Sequence, residues 1–350
     1  MSSNHKKIRS AVRRDHSEHY LLISLVAFAV TVIFTRIFLQ LTGFPQIGNS
    51  VLHIAHALWG GLLLFIAVLL PLTLANRWAI QASALLGGIG IGLFIDELGK
   101  FITQTNDYFF PPSLSIIYGF FLLTVLVYLF IRQPHQENPR QVMYHVLDGL
   151  QDALDGNLDQ NEAARIEAQL AIARKSYQNE IRDLTEAISS YLEQEKGYLV
   201  AAKPGVWERI IMRVDELGKW LGRHRHRTII SVILIFWLIF LVGFILVLLQ
   251  ENQNLDIQVA NWKIPLIVIQ ALTGVLIILA IIAWFSDKEE LGLRLSVTGF
   301  LLSLVALQTL YFYLSQFSAL TTTLIEFSFL LILLAYGRWY IDRDYVDYAG

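Results

Sequence analysis

Five ionisable side chains that could do chemistry lie inside long apolar segments: His53, His56, Asp96, Glu97 and Lys100. Hydrocarbon penalises charge, so such residues are rare in membrane-spanning helices and mark ion pathways, ligand sites or mutual pairing. The two histidines stand at the start of one apolar segment, and the other three stand near the end of the next. Two consecutive spanning helices run antiparallel, so we expect both groups at a similar depth near the outer surface.

One chemistry for this cluster is metal binding. His53 and His56 are three residues apart and share one helix face. With Asp96 or Glu97 they would supply two imidazoles and a carboxylate, a ligand set suited to zinc or another divalent metal with open positions for water. A metal-bound water could attack a lipid ester or amide while the second carboxylate serves as general base.

The alternative chemistry is a proton or ion pathway in a transporter, because histidines and carboxylates can titrate in turn. Lys100, Arg36 and Asp107 could reach the same outward-facing region, and Glu326 lies about two turns into the last apolar segment. A purely structural role stays open, in which Lys100 pairs with a carboxylate and extends to headgroup water. Glu326 would then be a protonated, hydrogen-bonded structural residue.

Composition places the chain among membrane proteins. Of its 350 residues, 55% are hydrophobic and only 16% are charged, whereas soluble domains carry about a quarter charged residues. The net charge of −2 gives no reason to expect nucleic-acid binding. The sequence contains no cysteine, which excludes disulfides, thiolate metal ligands and a cysteine nucleophile.

Eight apolar segments have the length of about 20 residues that a bilayer core requires. The sequence therefore predicts an all-α membrane protein with eight transmembrane helices, at about Tyr20–Leu41, Val51–Ala75, Trp78–Ile102, Ser113–Ile131, Ile229–Leu249, Ile264–Phe285, Leu293–Ser315 and Ala319–Ile341. The first segment has no small-x-small cleavage site after it and is interpreted as a retained span, not a signal peptide.

Basic residues set the expected orientation, since they favour the cytoplasmic side. Residues 1–19 form a basic tail that includes Lys6, Lys7 and Arg9, so the N-terminus is expected inside. An even number of spans returns the C-terminal tail, residues 342–350, to the same side. We expect a multi-pass protein of a prokaryotic plasma membrane with both termini cytoplasmic.

A polar stretch at residues 133–227 separates the fourth and fifth spans. Apolar residues recur there at helical spacing, as in Val142, Val146 and Leu150, which predicts a cytoplasmic helical insert. A further helix is predicted from Pro204 to about Leu221. The insert could bind a protein partner.

The membrane segments 20–132 and 228–341 resemble each other, which predicts two parallel four-helix repeats joined by the insert. His56-Ala57-Leu58-Trp59-Gly60 aligns with Gln270-Ala271-Leu272-Thr273-Gly274. A similar offset sets Glu97 against Gln308 and Lys100 against Tyr311. The first repeat therefore carries ionisable residues where the second carries neutral polar ones.

Three sequence segments also resemble an uncharacterised group of prokaryotic integral membrane proteins. They are His53-Ile-Ala-His56-Ala-Leu-Trp59-Gly60-Gly61, Gly92-Leu-Phe-Ile-Asp96-Glu97-Leu-Gly99-Lys100-Phe101 and Asn106-Asp107-Tyr108-Phe109. The resemblance covers about Arg36–Ile131. It implies a membrane location and no particular activity.

These observations lead to three hypotheses of function. The first is a transporter or channel-like protein whose outward-facing His, carboxylate and Lys site handles a small ion or lipid-like ligand. The second is a metal-dependent membrane enzyme that acts on lipid. The third is a membrane scaffold or signalling protein that uses its helical insert.

Overall fold

In the computed structural model the protein is all-helical over the residues that the structure describes. These are residues 11–43, 55–108, 110–133, 138–156, 158–176, 178–195, 226–250, 257–314 and 316–349, with 209, 212–213 and 216–220 between them. Among these described residues, eight helices are long and apolar enough to cross a membrane. The predicted all-α membrane fold with eight spans is confirmed.

The helices are α1 (Ser17–Thr42), α2 (His56–Thr73), α3 (Arg77–Asp96), α4 (Leu98–Ile102), α5 (Pro111–Arg132), α6 (Pro139–Leu154), α7 (Gln160–Ala173), α8 (Asn179–Glu195), α9 (His226–Gln250), α10 (Ile257–Phe285), α11 (Glu289–Leu302), α12 (Gln308–Leu314) and α13 (Gln316–Ala349). A π-helical segment, Ser303–Leu307, joins α11 to α12.

The chain forms two compact units. The first comprises Met1–Glu97 and Leu123–Lys203, and the second comprises Leu98–Leu122 and Pro204–Gly350. The first unit therefore holds α1 to α3, the end of α5 and the helices α6 to α8. The second holds α4, the beginning of α5 and α9 to α13. The predicted repeat boundaries and the insert boundaries stay predictions.

Glycines let α3 approach both of its neighbours in the first unit. A Cβ on Gly60 of α2 would lie 2.7 Å from the Gly90 carbonyl oxygen. A Cβ on Gly88 would collide with the Ser24 carbonyl oxygen of α1, whereas one on Gly87 would meet only the Ala67 Cβ at 3.8 Å. Gly88 therefore faces α1 and Gly90 faces α2. Small residues at such positions allow the close backbone contact typical of membrane helices.

The helices α6, α7 and α8 share an apolar core, which includes Val142, Val146, Ile166, Leu170 and Ile188. Helix α6 starts at Asn138, whose side chain accepts a hydrogen bond from the Gln141 N–H at 2.8 Å. Asp159 caps α7 in the same way through the N–H groups of Asn161 and Glu162. Such capping satisfies donors that the first helical turn leaves without partners. Three helices of the predicted insert are thus present, and most of the fourth lies outside the described residues.

Polar contacts join these helices to the ends of α1 and α3 within the first unit. Arg77, at the start of α3, forms an ion pair with Asp152 and lies 3.1 Å from Glu162. Arg165 pairs with Asp15 at 3.0 Å, ahead of α1. Burial and the neighbouring Asp152 raise the pKa of Glu162, and Arg77 opposes that shift. The insert therefore contacts the N-terminal ends of α1 and α3. Arg36 and Asp96 lie at or near the C-terminal ends of the same two helices.

Candidate functional site

The first unit brings three predicted site residues together from three different helices. Arg36 lies near the end of α1, His56 opens α2 and Asp96 ends α3. Helix α3 packs against both α1 and α2, which explains why all three side chains meet. Glu97 follows Asp96 directly and completes a four-residue group, called here the Arg36 cluster: Arg36, His56, Asp96 and Glu97.

Arg36 holds Asp96 through two contacts. Its Nε donates to Asp96 Oδ1 at 2.5 Å, and a terminal guanidinium nitrogen donates to the Asp96 backbone carbonyl at 3.2 Å. Both residues are almost fully buried, with exposed fractions of 2% and 0%. The guanidinium also lies at the C-terminal end of α3, where unsatisfied carbonyls make a cation favourable. Arg36 thus neutralises the carboxylate and caps its helix.

His56 lies between the two carboxyl groups. Its Nε2 is 3.2 Å from Asp96 Oδ2, and its Nδ1 is 3.4 Å from Glu97 Oε1. A neutral imidazole has one N–H and can donate to only one of them, whereas an imidazolium donates to both. Gaining or losing one proton therefore changes the hydrogen bonding of the whole cluster.

Exposure differs within the cluster in a way that suits proton exchange. The His56 side chain is 23% exposed, whereas Asp96 and Glu97 are buried. The imidazole is therefore the partly exposed member of the cluster.

A break in the helix allows neighbouring residues Asp96 and Glu97 to share one imidazole. Neighbours in a continuous helix point in different directions and do not face the same group. Helix α3 ends at Asp96, Glu97 leaves the helical conformation with φ −87° and ψ 9°, and α4 begins at Leu98. The sequence predicted one uninterrupted span there. The break is what brings the second carboxylate to His56.

The structure describes only part of the predicted metal ligand set, because His53 lies outside the described residues. Within the part of the chain that the structure describes, no group of three or more His, Asp or Glu side chains is arranged to hold a metal ion. Each His56 nitrogen faces a different carboxylate, and one imidazole nitrogen binds one metal. His56 could therefore share a metal with Asp96 or with Glu97, but not with both in this arrangement. Zinc at this cluster stays a prediction.

Lys100 and Asp107 belong to the second unit and are described there. The Lys100 ammonium lies 5.4 Å from the centroid of the Tyr108 ring. A Cβ on Gly99 would lie 2.6 Å from the Asp107 carbonyl oxygen, so α4 and the following loop are in close contact. The Asp107 N–H donates to the Thr103 hydroxyl at 2.7 Å, which shapes that loop. Their predicted role in an ion pathway stays a prediction.

The remaining predicted residue, Glu326, lies on α13 in the second unit and is completely buried. The Ser303 hydroxyl donates to its Oε1. Gln308 lies beside the same carboxyl group, and its Oε1 is 3.1 Å from the Thr322 hydroxyl. Buried Gln270 and Tyr311 contact each other in the same unit. Neutral polar side chains thus surround this carboxyl group.

Ser303 is the site residue that the sequence did not reveal. A serine in an apolar run is common in membrane helices, so its type carries no signal. In the sequence, only the alignment of Gln270 with His56 and of Gln308 with Glu97 indicates that the two glutamines belong to a site. Their complete burial is a stronger indication of a polar site, because a buried amide requires hydrogen-bond partners.

Comparisons with known proteins do not assign a family or a function to these sites. No family model, no curated protein and no solved structure matches this chain.

Proposed function

We propose that this membrane protein is a transporter or channel-like protein that moves protons, alone or coupled to another small ion, through the Arg36 cluster. The observation that carries the proposal is the position of His56, whose two ring nitrogens each face a different buried carboxyl group. Imidazole is the side chain whose charge changes most readily between pH 5 and 8. A proton taken up at His56 would form a second donated hydrogen bond, and its departure would release one carboxylate.

Arg36 has a supporting role in this proposal. By holding Asp96 at 2.5 Å, it fixes one of the two carboxylates in position and charge. Glu97, outside regular helix, is the partner whose bond to His56 changes. Adjacent carboxyl and imidazole groups inside membrane segments are the groups from which proton relays are built.

The proposed duplication is supported by the third helix of each membrane segment. Helix α3 is interrupted at Glu97, and the corresponding helix is π-helical just before Gln308, the position aligned with Glu97. Gln270, aligned with His56, is also buried in the second unit. Interrupted helices recur at the binding sites of transporters with internal repeats.

The expected orientation goes with this proposal. The N-terminal residues, the start of α3 and the insert helices contact one another in the first unit, so one side of the membrane would hold all three. Basic residues of the N-terminal tail favour the cytoplasm for that side. The Arg36 cluster, at the other ends of α1 and α3, would then open outward.

Proton flux into liposomes tests the function. The purified protein would be reconstituted with a pH-sensitive dye inside, and a potassium gradient with valinomycin would drive protons inward. We expect faster acidification than in protein-free liposomes, a return to the protein-free rate in His56→Ala, and at least a several-fold decrease in Glu97→Gln. Glu290→Gln changes an exposed carboxylate and should leave the rate unchanged.

Two results would overturn the proposal. One is a wild-type rate equal to that of protein-free liposomes, with and without sodium or potassium gradients. The other is wild-type flux in a correctly folded His56→Ala variant, verified by size-exclusion chromatography.

Elemental analysis of the same preparations addresses the metal-dependent enzyme. Stoichiometric zinc that disappears in both His53→Ala and His56→Ala would favour a metal site over a proton relay, and hydrolysis of a lipid substrate would then be the activity to measure.

A further inference from the structure

A second buried carboxyl group, Glu326, has surroundings unlike those of the Arg36 cluster. In the part of the chain that the structure describes, Glu326 forms no ion pair with Lys, Arg or His, and its hydrogen-bonding neighbours are Ser303 and Gln308. The titratable groups that face it are the hydroxyls of Tyr118 from α5 and Tyr311 from α12. A carboxylate buried without a cation is costly, so the group must carry a proton or bind a cation.

The hydrogen bonds around Glu326 show how a proton would fit this site. Ser303 donates to Oε1, which leaves Glu326 Oε2 and Gln308 Nε2 as buried atoms without a hydrogen bond among the described residues. Thr322 has one hydroxyl proton but lies within hydrogen-bond distance of two acceptors, Gln308 Oε1 at 3.1 Å and the Ala319 carbonyl at 3.0 Å. Buried polar atoms in native proteins are nearly always paired.

One proton on Glu326 completes this network. If the Thr322 proton goes to the Ala319 carbonyl, the Gln308 amide can turn over and donate from Nε2 to the Thr322 oxygen. Its Oε1 then faces Glu326 and accepts a hydrogen bond from a protonated Oε2. Each polar atom of Ser303, Gln308 and Glu326 named above then has a partner. An ionised carboxylate would instead accept from Gln308 Nε2, but its charge would then be buried beside neutral groups alone in the described part of the chain, which is the costlier arrangement.

The network connects both ends of the π-helical segment to α13. Ser303 begins that segment and Gln308 follows its last residue. Tyr118 donates to the Leu304 carbonyl at 2.8 Å, and Ser115, on the same face of α5, donates to the Thr309 carbonyl at 3.0 Å. Hydroxyls therefore satisfy carbonyls in and just beyond the segment. Such π-helical turns inside α-helices are frequently found at functional sites.

We propose that Glu326 is a proton-binding site of the second unit, occupied at neutral pH by one proton that exchanges with solvent and that ties the π-helical segment to α13. The ligand is a proton, not a metal ion, and the site uses no residue of the Arg36 cluster. This inference does not depend on proton transport through that cluster.

Infrared spectroscopy of the full-length protein in lipid nanodiscs tests the proposal. The carbonyl stretching band of a protonated carboxyl group should be present at neutral pH, absent in Glu326→Gln and retained in Glu290→Gln. In D₂O the band should shift to lower frequency, because the proton exchanges. Ser303→Ala should keep the band but change its frequency, since one hydrogen bond to the carbonyl oxygen is lost.

Three outcomes would overturn the proposal. Equal spectra of wild type and Glu326→Gln at neutral pH would show an ionised carboxylate. A Glu326 band that appears only after sodium and potassium are removed would show a cation site. A band that does not shift after prolonged incubation in D₂O would show a static proton.

Stability provides a second measurement that does not require flux. Glu326→Gln keeps the size of a protonated carboxyl group and should unfold at the same denaturant concentration as wild type at acidic pH, where the unfolded glutamate is protonated too. At neutral pH unfolding would release the Glu326 proton, so wild-type stability should decrease as the pH rises from the ordinary range of a glutamate pKa towards neutral. That decrease should be smaller in Glu326→Gln, and an equal decrease in both proteins would contradict the proposal.

Discussion

The buried ion pair between Arg36 and Asp96 offers the most demanding test of the first site. Substituting Arg36 by Met keeps an unbranched apolar stem and removes the charge and both hydrogen bonds. Asp96, completely buried, would keep its negative charge at the end of α3. Removing one partner of a buried pair typically costs about 3–5 kcal/mol. The unfolding equilibrium should then shift by roughly two to four powers of ten.

The measurement is equilibrium unfolding of the detergent-solubilised protein, followed by tryptophan fluorescence. Arg294→Met is the matched control, because Arg294 pairs with Glu290 at 2.6 Å on an exposed helix face. An exposed pair four residues apart contributes only about 0.3–0.5 kcal/mol. The two variants remove the same side chain from ion pairs of similar length, so their difference measures burial.

A double variant separates the cost of the unpaired charge from loss of packing. Arg36→Met combined with Asp96→Asn removes both charges, so it should be more stable than the sum of the two single effects predicts, by about 1 kcal/mol or more. Strict additivity would refute the proposed coupling. A loss of unfolding free energy in Arg36→Met no larger than that in Arg294→Met would show that burial adds nothing to the pair.

Three further predictions concern the first unit. Gly88→Ala should destabilise the protein by about 1–3 kcal/mol, because the added methyl group meets a carbonyl of α1. Gly87→Ala should be neutral or stabilising, because alanine favours a helix. The same unfolding assay compares the two variants. Arg77→Gln should increase protease cleavage within α6 and α7 several-fold, because it removes the ion pairs that hold them. Since the pKa of Glu162 is raised in the folded protein, the stability associated with this group is fully present below its ordinary pKa and is lost as the pH rises through the raised value. Glu162→Gln should therefore reduce the increase in cleavage between acidic and neutral pH.

Much of the architecture could be predicted from the sequence, because a bilayer imposes a simple requirement on composition and length. The predicted first span, Tyr20–Leu41, differs from α1, Ser17–Thr42, by three residues at its start and one at its end. The helix interruption at Glu97 and the π-helical segment were not predicted, since both lie within segments whose length and composition predict a single span. Such changes of backbone register depend on contacts with other helices, as the Tyr118 hydrogen bond to the Leu304 carbonyl illustrates.

The chemistry of the sites was predictable in residue type more than in pairing. His56, Asp96 and Glu97 stood out because ionisable residues are rare in apolar segments. Which side chains meet depends on how each helix is rotated about its axis. The sequence of an apolar helix determines this rotation poorly. Arg36 is a direct example. The sequence predicts only that it belongs to an ion pathway, whereas in the structure it forms an ion pair with Asp96. Ser303 is another, because its position beside Glu326 follows from the packing of two helices.

The two units bury carboxyl groups in different ways, and this difference makes their functions separable. Asp96 is compensated by the guanidinium of Arg36 and can stay ionised, so in the proposed function a proton would enter that cluster through His56. Glu326 is contacted by the hydroxyl of Ser303 and the amide of Gln308, and a proton there must reside on the carboxyl group itself. Substituting Glu326 by Gln therefore imitates the occupied state of its site. The corresponding change at Asp96 removes a charge on which Arg36 depends, so the same chemical substitution should be tolerated in one unit and harmful in the other.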